Sequence, residues 1–175
     1  MIWTILAVVA ALVVIVLIAA STRPDTFRIE RQTTINATAD KPFALIQDFH
    51  RWAEWSPWEQ IDPDLKRAYS GTSSGTGAIY EWTGTPKVGS GRMEILETNA
   101  PSRIIIKLDF IAPFEAHNTA DFALESSGGV TRVTWAMYGP QPFMNKVMSL
   151  VMNMDKIVGP DFEKGLSAMK RIAES

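Results

Sequence analysis

The sequence predicts an α+β fold: a curved antiparallel sheet wrapped around one long C-terminal helix, preceded by a single transmembrane helix. Three observations predict it. Residues 1–20 are an apolar run without charge, Pro or Gly. Residues 65–138 form short alternating runs separated by turn residues, the pattern of strands in a meander. Residues 142–174 return apolar side chains at helical spacing.

Residues 1–21 are read as the transmembrane helix. At about 1.5 Å per residue, twenty apolar residues span roughly 30 Å, the thickness of a hydrocarbon core. Trp3 stands where an interfacial aromatic belongs. A cleaved secretory signal is the rival reading; it needs a basic stretch before a shorter apolar run. No Lys or Arg precedes this run, although Ala19-Ala20-Ser21 resembles a poor cleavage site. A buried core helix is the plainest alternative, and the all-round apolar circumference argues against it. Arg23, Arg28, Arg31 and Lys41 follow the run. Positive residues favour the inner side, so the expectation is a single-pass protein of the cell membrane with a cytoplasmic domain.

Residues 22–26 are a short connector, and 27–175 are one domain large enough for a single core. Residues 27–35 alternate and read as the first strand. Asn36 to Asp40, then Pro42, Phe43, Leu45, Ile46 and Phe49, predict a short helix. A further helical turn carries Trp52 and Trp55. Strands are expected near 65–70, 76–83, 88–98, 102–111, 115–125 and 129–138, divided by turns such as Gly84-Thr85-Pro86, Asn99-Ala100-Pro101 and Ser126-Ser127-Gly128-Gly129. Connections this short make neighbouring strands antiparallel. The tail places Met144, Val147, Met148, Val151 and Met152 on one face, followed by Ile157, Phe162, Leu166, Met169 and Ile172. A kink or restart is expected at Gly159-Pro160, because proline has no N–H and crowds the preceding turn. This tail is the only long amphipathic element, so it covers the sheet and leaves interior space as the candidate site.

Composition excludes several function classes. Seventeen Lys and Arg against nineteen Asp and Glu leave a net charge of -2, without a basic footprint for nucleic acid. There is no cysteine, which removes thiolate nucleophiles, zinc knuckles and iron–sulfur clusters. Only His50 and His117 are present, so no metal and no cofactor is expected.

Five segments in one order carry a resemblance: WAEWSPWEQIDPD from Trp52, GAIYEWTG from Gly77, VGSGRMEI from Val88, TRVTWAMYG from Thr131 and DKIVGPDFEKGL from Asp155. With the order of elements they resemble the helix-grip fold of the START-like (SRPBCC) superfamily, in its polyketide cyclase/dehydrase-like branch. The resemblance spans nearly all of residues 27–173. It implies an apolar cavity for lipids, polyketides or other hydrophobic ligands. It does not imply one activity, since the same fold hosts enzymes, carriers and signalling proteins.

Strand alternation sets inward faces: Ala78, Tyr80 and Trp82; Met93 and Ile95; Ile104, Ile106, Leu108 and Phe110; Asn118, Ala120, Phe122 and Leu124; Val133, Trp135 and Met137. Most must be core, because pockets and cores use the same residue types. Tyr80, Trp82, Asn118 and Trp135 stand out, since a buried polar tip needs a partner. Four methionines lie within residues 144–154, a composition that suits either a core or a surface for varied apolar partners, lipid included. Trp52, Trp55 and Trp58 read as aromatic plugs of a rigid loop, or as a portal lining. The cavity candidates are therefore Trp55, Trp58, Tyr80, Trp82, Met93, Leu108, Phe110, Asn118, Trp135, Met148 and Met152. Glu54, Glu59, Asp62 and Asp64 read as solvated or capping carboxylates.

A general base must reach the proton it removes. His117 alternates with Asn118 and points outward, while His50 sits at a helix end. No Ser-His-Asp order or phosphate-binding Gly loop is apparent, so no catalytic residue is assigned. The sequence reads as a membrane-anchored, non-catalytic domain for a hydrophobic small molecule or lipid. The alternatives are an enzyme acting on a polyketide-like or lipid substrate, and a regulatory subunit of another membrane protein.

Overall fold

A computed structural model describes residues 1–175. Helix α1 (Ile2–Ser21) is apolar all round and long enough to cross a membrane; it stands clear of the domain except at its end, where Ala20 is buried. Four residues lead into β1 (Thr26–Ile35). Next come α2 (Asp40–Ile46), a 3₁₀ turn (Phe49–Arg51) started by the Asp48 carboxylate on the His50 N–H, α3 (Trp52–Trp55) and a second 3₁₀ turn (Pro57–Gln60). Strands β2 (Lys66–Gly71), β3 (Ala78–Thr83), β4 (Ser90–Asn99), β5 (Arg103–Ala112), β6 (Ala116–Ser127) and β7 (Val130–Pro140) follow, then α4 (Phe143–Met148) and α5 (Met154–Ala173).

The seven strands form one antiparallel sheet in the order β1-β7-β6-β5-β4-β3-β2. It is a meander with β1 added beside β7, as the short connections require. Irregular register at Ser90/Gly91 and at Ile95/Glu97 marks bulges, which bend strands and help the sheet curve. Helix α5 packs on the concave side, closest to β1, where Arg31 reaches Asp155 and Glu163 of the helix at 2.8 Å each. The architecture is the helix-grip arrangement that the sequence predicts.

The tail departs from expectation in one respect. The helix breaks at residues 149–153, and α5 runs unbroken through Pro160. The Asn153 side chain caps the Lys156 N–H, which gives α5 its own start. Pro160 lies on the exposed face, and the bond it cannot donate does not end the helix. Gly159 serves close approach instead: a Cβ there would collide with the Arg31 guanidinium. The break turns α4 away from the sheet to pack against α1.

The core is aromatic where the helix meets the sheet. Trp135 stacks on Phe162 with ring centroids 4.1 Å apart and on Phe122 at 5.0 Å, and Trp55 and Trp58 meet it edge-on. Such pairs contribute roughly 0.5–1.5 kcal/mol each beyond their area.

Candidate functional site

Exposure along the concave face changes from one end of the sheet to the other. Ile104 and Ile106 on β5, Phe122 on β6, Val133 on β7 and Ile95 on β4 are fully buried in the core that includes the aromatic cluster. Further along the same strands, Leu108 and Phe110 become half-buried. The inward face is therefore less covered at the end holding the β3–β4 and β5–β6 turns, and this shallow, open end is the candidate trough. Its walls are Trp82, Met93, Leu108, Phe110, Asn118 and Met137.

Two glycines shape the trough. A Cβ on Gly91 would strike the Trp82 ring, and one on Gly139 would strike Oδ1 of Asn118. Trp82 meets Phe110 edge to face at 5.9 Å. Asn118 lies between Leu108 of β5 and the bare backbone of Gly139, and is only 9 % exposed. No side-chain hydrogen bond in the protein involves its amide, although neighbouring His117 has one. A carboxamide offers two donors and one acceptor, so this group is the polar feature of an otherwise apolar surface. The Trp135 indole N–H is the one fully buried side-chain polar atom without a partner, whereas the Asn118 amide keeps contact with solvent.

The structure divides the eleven candidates. Trp82, Met93, Leu108, Phe110 and Asn118 come together in the trough. Trp55, Trp58 and Trp135 belong to the aromatic cluster, and Trp55 donates its N–H to the Leu45 carbonyl at 3.1 Å. Tyr80 is committed elsewhere: its hydroxyl donates to Glu59 Oε1 at 2.5 Å, and Arg67 holds Oε2 at 2.6 Å. Burial first, then the Glu59 bond, pushes that phenol far above the usual tyrosine range. Met148 and Met152 lie outside the trough and are exposed, because α4 packs on α1 and not over the sheet.

Sequence reasoning missed two structural carboxylates, both read as solvated or capping. The Glu59 side chain is 6 % exposed in its pair with Arg67. Asp62 is buried and accepts the N–H of Thr85 at 2.6 Å and of Asp64 at 3.0 Å, fixing the turn at the trough mouth. Those bonds, Thr85 foremost, hold its carboxyl below the usual aspartate range. The signal was in hand: Trp58-Glu59 and Asp62 sit in the segment WAEWSPWEQIDPD, too rich in buried tryptophan for every acid to be solvated.

Both histidines lie on the outside. His50 stacks on Tyr69 at 4.1 Å and bonds Asp48, beside an open recess of about 220 Å³ that also includes Phe49 and Ser70. His117 is bonded to Asp109 at 2.8 Å, which raises it above its usual range. No cluster of three acidic or imidazole side chains is arranged to hold a metal ion.

The family described as polyketide cyclase / dehydrase and lipid transport matches residues 26–174. The chain belongs to this family. The match begins with β1 and ends with α5, leaving α1 outside it. Solved structures share the family's fold at low identity. A Chromobacterium violaceum protein is 13 % identical with a TM-score of 0.59, over 87 % of this chain and 99 % of its own. The Aha1 dimer protein of Colwellia psychrerythraea is 10 % identical with a TM-score of 0.59, over 85 % and 96 %. A putative protein of the dynemicin biosynthetic locus is 14 % identical with a TM-score of 0.56, over 85 % of this chain and 47 % of its own. No curated protein matches.

Proposed function

We propose that this chain is a membrane-anchored domain that binds a lipid, or another apolar small molecule with one hydrogen-bonding group, in the trough. The observation that carries this reading is Asn118: a residue nine-tenths buried among apolar walls, whose amide has no protein partner and stays reachable from the open side. Water can satisfy such a group when the trough is empty, and a ligand that displaces that water must offer it a hydrogen bond in return. The family's description includes lipid transport, which is consistent with a hydrophobic ligand. Helix α1 anchors the chain, and the arginines that follow it hold the domain on the cytoplasmic side. The role is binding and not catalysis: both histidines are tied to carboxylates outside the trough, and the Tyr80 hydroxyl is held by Glu59. Native mass spectrometry of the full-length chain after incubation with a membrane lipid extract tests this. A retained adduct that weakens in Asn118→Leu is expected; no adduct, or one indifferent to Asn118, overturns it.

A further inference from the structure

The anchor and the trough meet at the same end of the domain. Four residues separate α1 from β1 and can span at most about 14 Å. They are also pinned: the Asp25 carbonyl accepts from the Gln141 N–H at 2.7 Å, and its carboxylate takes Lys146 Nζ of α4 at 2.5 Å. Helix α4 packs against the end of α1. Twenty helical residues reach roughly 30 Å and end where the hydrocarbon core ends, so α4 is held at that level.

What the domain presents there is apolar. Ile111 and Phe114, beside the β5–β6 turn, are 63 % and 83 % exposed. Phe143, Met144, Val151 and Met152, on α4 and the break after it, are also exposed. The register puts the β5–β6 turn and the end of β7 at one end of the sheet. The turns at the opposite end, residues 72–76, 100–102 and 128–129, hold only Ser, Thr, Gly, Pro and Ala, with no exposed large apolar side chain. Exposed apolar patches mark contact surfaces, and a patch continuous with a spanning helix has the bilayer beside it.

We infer that the domain rests on the membrane with this apolar rim in the interface, so that the trough opens toward lipid and its ligand is a resident of the bilayer. Phe110 of the trough wall and Ile111 of the rim are neighbours at the end of β5 on opposite faces of the strand, so the rim begins at the edge of the trough. The inference rests on the anchor and trough reading above.

The chain lacks cysteine, so single cysteines report without background. Phe114→Cys, Met144→Cys and, at the opposite end, Ser127→Cys are labelled with an environment-sensitive nitrobenzoxadiazole dye in the full chain, reconstituted in phosphatidylcholine vesicles with and without acyl-brominated lipid. Blue-shifted emission and loss of fluorescence to brominated lipid at 114 and 144, with neither at 127, is expected. Water-like emission at all three positions overturns the inference. So does cross-linking between two Phe114→Cys chains in place of lipid quenching, which would make a second copy the occupant. An Asn118-dependent lipid adduct together with water-like labels would leave the binding reading standing and remove only the docking.

Discussion

Replacing Asn118 with leucine separates stability from binding. The two side chains share their branch point and heavy-atom count, leucine being the bulkier, and the neighbours at this point are Leu108 and the backbone of Gly139. The amide keeps some contact with solvent, so leucine removes only part of the cost of a fully buried unpaired amide, roughly 0.5–1 kcal/mol. Burial of apolar surface adds to the gain, reduced here because the trough is open to one side. A domain of this size shifts its Tm by roughly 2–4 °C per kcal/mol, so Asn118→Leu should melt higher by about 1–4 °C. Thermal unfolding of the full-length chain in detergent, followed by near-UV circular dichroism, measures it. The same variant should hold less lipid. A variant that melts lower than the parent would refute the reasoning, because it would mean that the amide is satisfied within the fold.

Four other outcomes are expected. The full chain stays with membranes through a carbonate wash, whereas a chain beginning at Ala19, which keeps Ala20 and Asp25, is released and folded; release of the full chain refutes the anchor. Protease added to intact spheroplasts spares the domain, and digestion would reverse its sidedness. Glu59→Ala leaves the Tyr80 hydroxyl unpaired and Arg67 with only its backbone partners, and should cost about 1–3 kcal/mol by urea unfolding, with Glu59→Gln milder; no loss would refute a structural role for the pair. The Asp62 carboxylate, held low by the Thr85 and Asp64 N–H groups, stabilises above the ordinary aspartate value of 3.8 and loses that contribution as pH falls through its folded pKa. The stability gap between the parent and Asp62→Asn should therefore shrink as the medium is acidified below 3.8, and a gap independent of pH would contradict it.

The fold was legible because each strand announces itself twice, by alternation and by the turn after it. The strands expected near 102–111 and 115–125 form at Arg103–Ala112 and Ala116–Ser127. The failure at Gly159-Pro160 is instructive. A Gly-Pro pair reads as a helix breaker when only local backbone terms are weighed, but Gly159 is there to admit the Arg31 guanidinium from β1. That requirement comes from a residue far away in sequence, and no local pattern encodes it. The real break, at residues 149–153, contains neither glycine nor proline. It is marked only by Asn153 as a cap, a signal that many interior asparagines would imitate.

The trough was only partly legible for a related reason. Alternation names the inward face of a strand but not how far along it the covering helix reaches, so Ile106 and Leu108 look equivalent in sequence and differ in exposure. Coverage is decided by where α5 starts, hence by the break. The same break places Met144 and Met152 on the rim instead of over the sheet. A helix continuing through residues 149–153 would carry those methionines along the β1–β7 side of the concave face, beside Asn118, and narrow the trough. The exposed methionines and the open trough are thus two results of one local event. This predicts their coupling: replacing Asn153 with alanine, which removes the cap on the Lys156 N–H, should relax the start of α5 and weaken lipid binding while the Trp135–Phe162 stack, more than one turn away, persists. Hydrogen exchange would read faster opening confined to the first turn of α5. Unchanged exchange there would show that the break is held by the α1–α4 contact and not by its cap.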